Sequence, residues 1–279
     1  VTHEALRASI ETLSASASPD RARAREVVAA LLAALEAGEV RAAIPHAGGW
    51  EVQPWVKQGI LLAFRVGENV ASDVPPVFHF RDRDTLPTWD SKGSGRSVRV
   101  VPGGTTIRRG AYLGEGVVVM PPAYVNVGAW VGPRTLVDSH VLVGSCAQVG
   151  SGVHLSAAAQ VGGVLEPIGS LPVVIEDDVF VGGSCGIYEG TRVRARAVLA
   201  AGVVLTRSVA VMDLVQARIL RAGEGEPLQI PEGAVVVPGA RPAAGPYARE
   251  QGVLLQTPVI VKYRDAGTDA AAALEDALR

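Results

Sequence analysis

Two histidines of the central stretch, His140 and His154, stand fourteen positions apart. A hydrolytic zinc centre needs three such ligands on one ion, so no metal is expected. Cys146 and Cys185 form no Cys-x-x-Cys pair and are too few for a disulfide framework. Gly93-Ser-Gly95 and Gly103-Gly-Thr-Thr106 lack the Gly-Lys-Ser/Thr ending of a phosphate loop. Neither a serine nor a cysteine stands in a nucleophile-elbow context. Cys146, within Gly144-Ser-Cys-Ala147, reads as a small surface thiol. What remains is proton transfer and charge recognition by carboxylates and arginines. On spacing alone, Asp138 reads first as a turn residue, Glu189 at least as well as a solvent-facing carboxylate, and Arg99 equally as one surface arginine among 23.

The element that must position such groups is a repeat. From Ile107 to Val161 every sixth residue is aliphatic, and four residues after each of the first nine comes a small or β-branched side chain, from Ala111 to Ala159. The rhythm resumes two residues out of phase at Ile175 and runs to Val211. A period of six fits neither a helix nor a hairpin array. It fits a parallel β-helix in which each hexapeptide supplies one short strand and one corner. Three sides close a triangular coil of 18 residues, giving about five or six coils that each rise ~4.8 Å. The phase break contains Pro167 and Pro172, which could not continue a central strand, so a loop near 163–174 is expected to leave the coil.

Before the coil, Ser18-Pro19-Asp20 reads as an N-cap with proline at the first helical position, opening a helix to Ala37 ahead of Gly38. A second helix is expected over Gln53 to Phe64, with short strands near Val40 to Ile44 and Val77 to Phe80, and a connector over Asp82 to Arg96. After Val211 the pattern decays into a strand pair, Val235 to Gly239 and Gly252 to Tyr263, and a helix from Thr268 to Leu278. The fold class is therefore mainly β: a small α/β N-terminal domain (1–100), a parallel β-helix (101–211) and a strand and helix extension (212–279). The N-terminal domain would cap a coil end that otherwise exposes strand edges.

Composition fits this. Of 279 residues 48% are hydrophobic and only 5% aromatic, as thin aliphatic layers require. A net charge of −2 argues against nucleic acid or an anionic membrane as partner. No apolar run approaches the ~20 residues of a membrane span, and Val1 to Ile10, with His3, Glu4 and Arg7, does not read as a signal peptide. A cytoplasmic location is expected.

The run Val137-Asp138-Ser-His-Val-Leu-Val-Gly-Ser-Cys-Ala-Gln-Val-Gly150, with Val153-His-Leu-Ser156 and Val161-Gly-Gly-Val-Leu-Glu-Pro167, resembles tetrahydrodipicolinate N-succinyltransferase, a family of bacterial lysine and diaminopimelate synthesis. Arg99-Val-Val-Pro102, Trp55-Val-Lys57, Ile175-Glu-Asp177 and Val259-Ile-Val-Lys262 match as well, so the likeness spans most of 50–265. Known hexapeptide-repeat proteins wind left-handed, and the same is expected here. The resemblance implies succinyl transfer from succinyl-CoA, a co-substrate and not a resident cofactor, to the amine of L-2-amino-6-oxopimelate. It also implies a homotrimer with sites between neighbouring coils.

By the same resemblance, Asp138 is the general base and a substrate contact, and Arg99 binds substrate carboxylate. Ala157, Ala158, Gly162, Gly163, Gly182 and Gly183 would let a pantetheine arm approach the coil, with the 163–172 loop as a lid. One motif departs. Where the family reads Gly-Ala-Arg-Ser-Glu-Val-Val-Glu-Gly, this chain reads Gly182-Gly-Ser-Cys-Gly-Ile-Tyr-Glu-Gly190. The first glutamate, an acid/base partner in the family, is Gly186 here, and the second is Glu189, the remaining catalytic candidate. Two alternatives stand beside this reading: an acetyl-CoA-dependent N-acetyltransferase on the same or a related amino acid, which the departure leaves open, and a non-catalytic trimeric β-helix module.

Overall fold

The computed structural model describes residues 2–74, 78–91, 95–265 and 267. Its centre is a triangular parallel β-helix of the hexapeptide-repeat type, consistent with left-handed winding. Strands 18 residues apart stack in parallel register: Tyr112 pairs with Trp130 and Trp130 with Gln148 on the first face. The second face carries Leu136–Val137 and His154–Leu155, and the third Leu142–Val143 and Gln160–Val161. From Leu113 to Leu205 every inward aliphatic at the six-residue step is 0% exposed. Each contributes ~1.5–3 kcal/mol by leaving water, so the continuous column is what holds the coil. Thr135 occupies one of the small positions and is satisfied there, donating to the Gly150 carbonyl (2.8 Å) and accepting from the Val153 N–H (3.2 Å).

Two excursions interrupt the coil, and both leave from the corner between the third and first faces. Gln160–Val161 is followed on the first face only by Val174–Ile175, so 162–173 is thrown out as its prolines required. The second, 206–228, corrects the sequence reading. The pattern does not decay for good after Val211: Gln229–Ile230 stacks on Arg192–Val193 and Ala234–Pro242 on Val198–Leu199. Val211 keeps the six-residue phase by coincidence. It belongs to a hairpin, Val211–Asp213 with Arg218–Leu220, that adds to the edge of the second-face sheet through Leu254–Tyr263. Asp213 fixes that hairpin. Burial alone would push its carboxyl up, but hydrogen bonds from the Tyr263 hydroxyl, the Gln216 N–H and the Arg218 guanidinium outweigh burial and hold it below the usual carboxylate range. The strand pair Ala234–Pro242 and Leu254–Tyr263 is antiparallel, and the expected helix at 268–278 lies outside the described residues.

The N-terminal region covers the first face. Helices α1 (His3–Ala15), α2 (Arg21–Ala37) and α3 (Pro54–Val66) enclose Ile10, Leu31 and Ile60, each fully buried. The α2 cap is Asp20, not Ser18, because the Asp20 carboxylate accepts the Arg23 N–H (3.1 Å) while Pro19 lies outside the helix. Helix α1 was not foreseen, and the strands are hairpins: Ala43–His46 with Gly49–Val52, and Asn69–Val74 with Phe78–Arg83. Docking runs through stacked rings and cations. Tyr112 stacks on Trp130 (centroids 3.8 Å apart), Arg96 lies over Tyr112 (4.6 Å) and Arg41 over Trp130 (3.9 Å). Burial lowers the Arg41 guanidinium to about 10, and it still donates to Gln148 Oε1 (3.0 Å). Among the described residues no helix is long and apolar enough to cross a membrane.

One ion pair in this region gives a pH test. Arg25 donates to Asp84 Oδ2 (2.5 Å) and, with the Glu68 N–H, holds the Asp84 carboxyl at about 2 against an ordinary 3.8. The folded chain therefore binds that proton more weakly than the unfolded chain does. The stabilisation is complete above the unfolded value and is lost as pH falls from about 4 towards about 2. Thermal midpoints of wild type and Asp84→Asn should differ at pH 7 and converge below pH 4; a gap that persists unchanged to pH 2 would refute the assignment.

Candidate active site

The corner between the second and third faces carries Asp138. Arg99 lies on the first strand of the second face, paired with Val118, and its guanidinium reaches to 4.0 Å from Met120 Sδ. Met120 stands at this corner one coil below Asp138 and donates its N–H to the Val137 carbonyl (2.8 Å). With coils about 4.8 Å apart, the Arg99 guanidinium thus approaches, from the second face, the same edge that carries Asp138 two coils above. Asp138 is half-buried, follows inward Val137 and takes the Ser139 N–H on Oδ1 (2.6 Å), which leaves Oδ2 for another partner. Above it the corner is a shelf of small residues joined by backbone bonds: Ala158 N–H to the Ser139 carbonyl (2.8 Å), Ser184 N–H to Ala157 (2.9 Å) and Gly202 N–H to Gly183 (2.9 Å).

The corner between the third and first faces is different. The two excursions leave it one coil either side of Tyr188-Glu189-Gly190 and enclose a groove of about 1160 Å³, lined by Gly163, Glu166, Ser170, Tyr188, Glu189 and Arg207 among others. Most corners place a left-handed residue third after the inward aliphatic, as at His140, Ala158 and Ser184. Here two successive residues, Glu189 (φ 54°) and Gly190 (φ 71°), take that conformation. A side chain at 190 would begin 2.7 Å from the Leu171 carbonyl, so glycine lets the first excursion close down on the corner. Glu189 Oε2 accepts the Arg207 N–H (2.8 Å) and ties the second excursion to the same point.

Asp138, Ala157, Ala158, Gly182 and Gly183 share one corner, and the Arg99 side chain approaches its lower end from the second face. Glu189, Gly162 and Gly163 share another. Within one chain Glu189 is not placed beside Asp138. Several glycines have internal reasons to be small: a Cβ on Gly163 would lie 2.4 Å from the Ser145 nitrogen, and one on Gly182 2.5 Å from that of Ala201. At Gly183 the nearest atom, the Ala157 carbonyl oxygen, is 3.3 Å away, so this position is open to the outside. Of the two expected bystanders, His154 is buried against Phe180 (centroids 4.7 Å apart) and His140 is exposed at the Asp138 corner. Cys146 is not a surface thiol. It is 0% exposed under Ile60 of α3, and burial pushes its thiol up to about 12. Among the described residues no group of three His, Cys, Asp or Glu is arranged to hold a metal ion.

Lys57 was quoted only as part of a motif, yet it is 0% exposed, and its Nζ donates to the Ser170 carbonyl (2.5 Å) in the first excursion. Burial lowers its pKa. The available signal was a lysine inside the apolar face of α3, between Val56 and Ile60. With the chain's length and packing kept, Lys57→Met should release this wall of the groove. KM for the acyl donor should rise about 3- to 10-fold, the worth of one hydrogen bond, with kcat moved less. An unchanged KM would mean that Lys57 serves the core alone.

Residues 5–66, the three helices, match the family model described as tetrahydrodipicolinate N-succinyltransferase N-terminal. Residues 172–207 match the hexapeptide repeat of succinyl-transferase, a span running from the end of one excursion to the start of the other. A 2,3,4,5-tetrahydropyridine-2,6-dicarboxylate N-succinyltransferase of Aromatoleum aromaticum is 40% identical over 277 residues, covering 96% of this chain and 93% of that one. The protein of the same description from Leptothrix cholodnii is 41% identical over 278 residues, covering 96% and 93%.

The chain belongs to the tetrahydrodipicolinate N-succinyltransferase family.

A succinyltransferase of this family handles two substrates that both carry carboxylates and joins them at an amine. The shelf above Asp138 has no charged side chain at 157, 158, 182 or 183 to obstruct a long neutral arm.

Proposed function

We propose that the chain transfers the succinyl group of succinyl-CoA to the amine of L-2-amino-6-oxopimelate, a step of lysine and diaminopimelate synthesis. The observation that carries this reading is the approach of the Arg99 side chain to the edge that carries Asp138, in a chain of this family. Arg99 would hold a carboxylate of the acceptor. Asp138 Oδ2 would take a proton from the acceptor's ammonium, so that nitrogen attacks the thioester carbonyl. The attacking nitrogen sheds its second proton as the tetrahedral intermediate collapses, the carbon–sulfur bond breaks, and the departing CoA thiolate takes that proton up to leave as the thiol. Base assistance of this kind is worth about 10²–10⁴-fold.

In this reading the working unit is a homotrimer. The outward rows of the second and third faces are apolar and half-buried in the single chain (Leu136, Phe180 and Val198; Leu142 and Val204), whereas helices already cover the first. A neighbour packed on these rows would bring its groove, with Glu189, towards the Asp138 corner, and the 162–173 excursion would close over the pantetheine arm. Cytoplasmic location follows from the biosynthetic role. Light scattering should give a mass of three chains, and mass spectrometry should find the acceptor succinylated on nitrogen. A monomer, or an acceptor recovered unmodified, would sink the reading.

A further inference from the structure

The tyrosine at the floor of the groove is held in an unusual way. A Cβ on Gly186 would lie 2.5 Å from Tyr188 Cε2 and 2.9 Å from its hydroxyl oxygen, and a Cβ on Gly162, one coil below, 2.9 Å from Cδ1. Glycines on two adjacent coils are thus cleared for one ring, which lies flat on the outer surface of the third face with its hydroxyl over Gly186. The tyrosines at 112, 124 and 263 each have a partner. Tyr112 stacks on Trp130, the Tyr124 hydroxyl accepts from Arg108 (2.9 Å), and the Tyr263 hydroxyl donates to Asp213 (2.8 Å). The Tyr188 hydroxyl has no hydrogen-bond partner among the described residues, although the ring is half-buried and fixed.

The surroundings limit what it could meet. The groove wall beside it carries Glu189, whose Oε2 is taken by the Arg207 N–H, and the Arg207 guanidinium, 3.4 Å from the Gly223 carbonyl. Thr206 and Ser208 hydroxyls pair with each other on the same wall (3.2 Å). A phenol held rigidly without a partner is a donor waiting for an acceptor, and a charge-assisted bond to an anionic oxygen is the stronger kind. We propose that the Tyr188 hydroxyl donates a hydrogen bond to a substrate carboxylate, making Tyr188 a specificity residue of the acyl transfer. This rests on the function proposed above, in which both the succinyl tail and the amino-acid acceptor carry carboxylates.

Tyr188→Phe keeps the ring in its cradle and removes only the hydroxyl. Kinetics with succinyl-CoA and acetyl-CoA separate the two sources. If the succinyl carboxylate is bound, kcat/KM with succinyl-CoA falls about tenfold or more while the value with acetyl-CoA stays unchanged. If the acceptor carboxylate is bound, KM for the acceptor rises by a similar factor with either donor. Unchanged constants throughout would overturn the proposal while leaving the parent reading intact. A loss of kcat with both donors, with KM unmoved and a lower thermal midpoint, would also overturn it, because the hydroxyl would then be serving the fold. Wild-type protein silent with succinyl-CoA would overturn the parent reading and this proposal together.

Discussion

Asp138→Asn should lower kcat by about 10²–10⁴-fold while leaving the thermal midpoint and the oligomeric state unchanged. The substitution is nearly isosteric. An asparagine Oδ1 can still accept the Ser139 N–H that the carboxylate takes at 2.6 Å, so the corner keeps its shape. What disappears is the second oxygen as a proton acceptor. Km for the acyl donor should hardly move, because the shelf from Ala157 to Gly183 is untouched. A variant with wild-type kcat would remove Asp138 from the mechanism and leave its side chain a turn device. A variant that loses both activity and thermal stability would show that the carboxylate holds the coil together.

The second large effect is on stability. Gly144→Ala should destabilise by about 1–3 kcal/mol or more, because the new Cβ would lie 2.1 Å from the Gly163 nitrogen and 2.5 Å from its Cα. Those atoms are backbone of the coil above, at the point where the first excursion departs, and cannot swing aside as a side chain could. Gly183→Ala is the matched control. Its nearest neighbour is a carbonyl oxygen at 3.3 Å, its φ is not in the left-handed region, and its Cβ would point away from the coil. Denaturant midpoints should fall sharply for Gly144→Ala and barely for Gly183→Ala. The latter should instead raise KM for the acyl donor, since it fills space on the shelf where the pantetheine arm is proposed to run. Equal midpoints for the two variants would undo this account of the corners.

Much of this architecture was legible because a six-residue period has few physical solutions. Each inward aliphatic from Ile107 to Leu205 could be assigned before any coordinates, and the prolines at 167 and 172 marked the first excursion. The second was hidden by Val211, which falls on the period while belonging to a hairpin. Helix ends shifted by a residue or two for local reasons, as where Asp20 caps α2. Tertiary burial was harder to read. Cys146 occupies an outward position of the coil, and only the packing of α3 against that corner makes it a core residue. Lys57 carried no signal beyond its motif, because its burial depends on the Ser170 carbonyl of the first excursion as a partner.

Of the candidate site, the types were legible but their grouping was not. Arg99 stacks in register with Val118 and Leu136, two residues before Asp138, so only its long side chain, which reaches Met120, brings it near the Asp138 corner. Glu189, quoted as their companion, falls on a different corner because strand and corner order, not sequence proximity, decides which edge a residue joins. Tyr188 was passed over because a tyrosine in an outward repeat position carries no chemical signal of its own. Its signal is the pair of glycines at 162 and 186 that make room for the ring. Gly186 and Tyr188 are both among the positions at which the chain departs from the family motif.

The most direct measurement is thiol release from succinyl-CoA and, in parallel, from acetyl-CoA, with tetrahydrodipicolinate as acceptor. The account predicts rapid release with succinyl-CoA, dependent on the acceptor, and little with acetyl-CoA. Preference for acetyl-CoA, or no acceptor-dependent release from either donor, would contradict it.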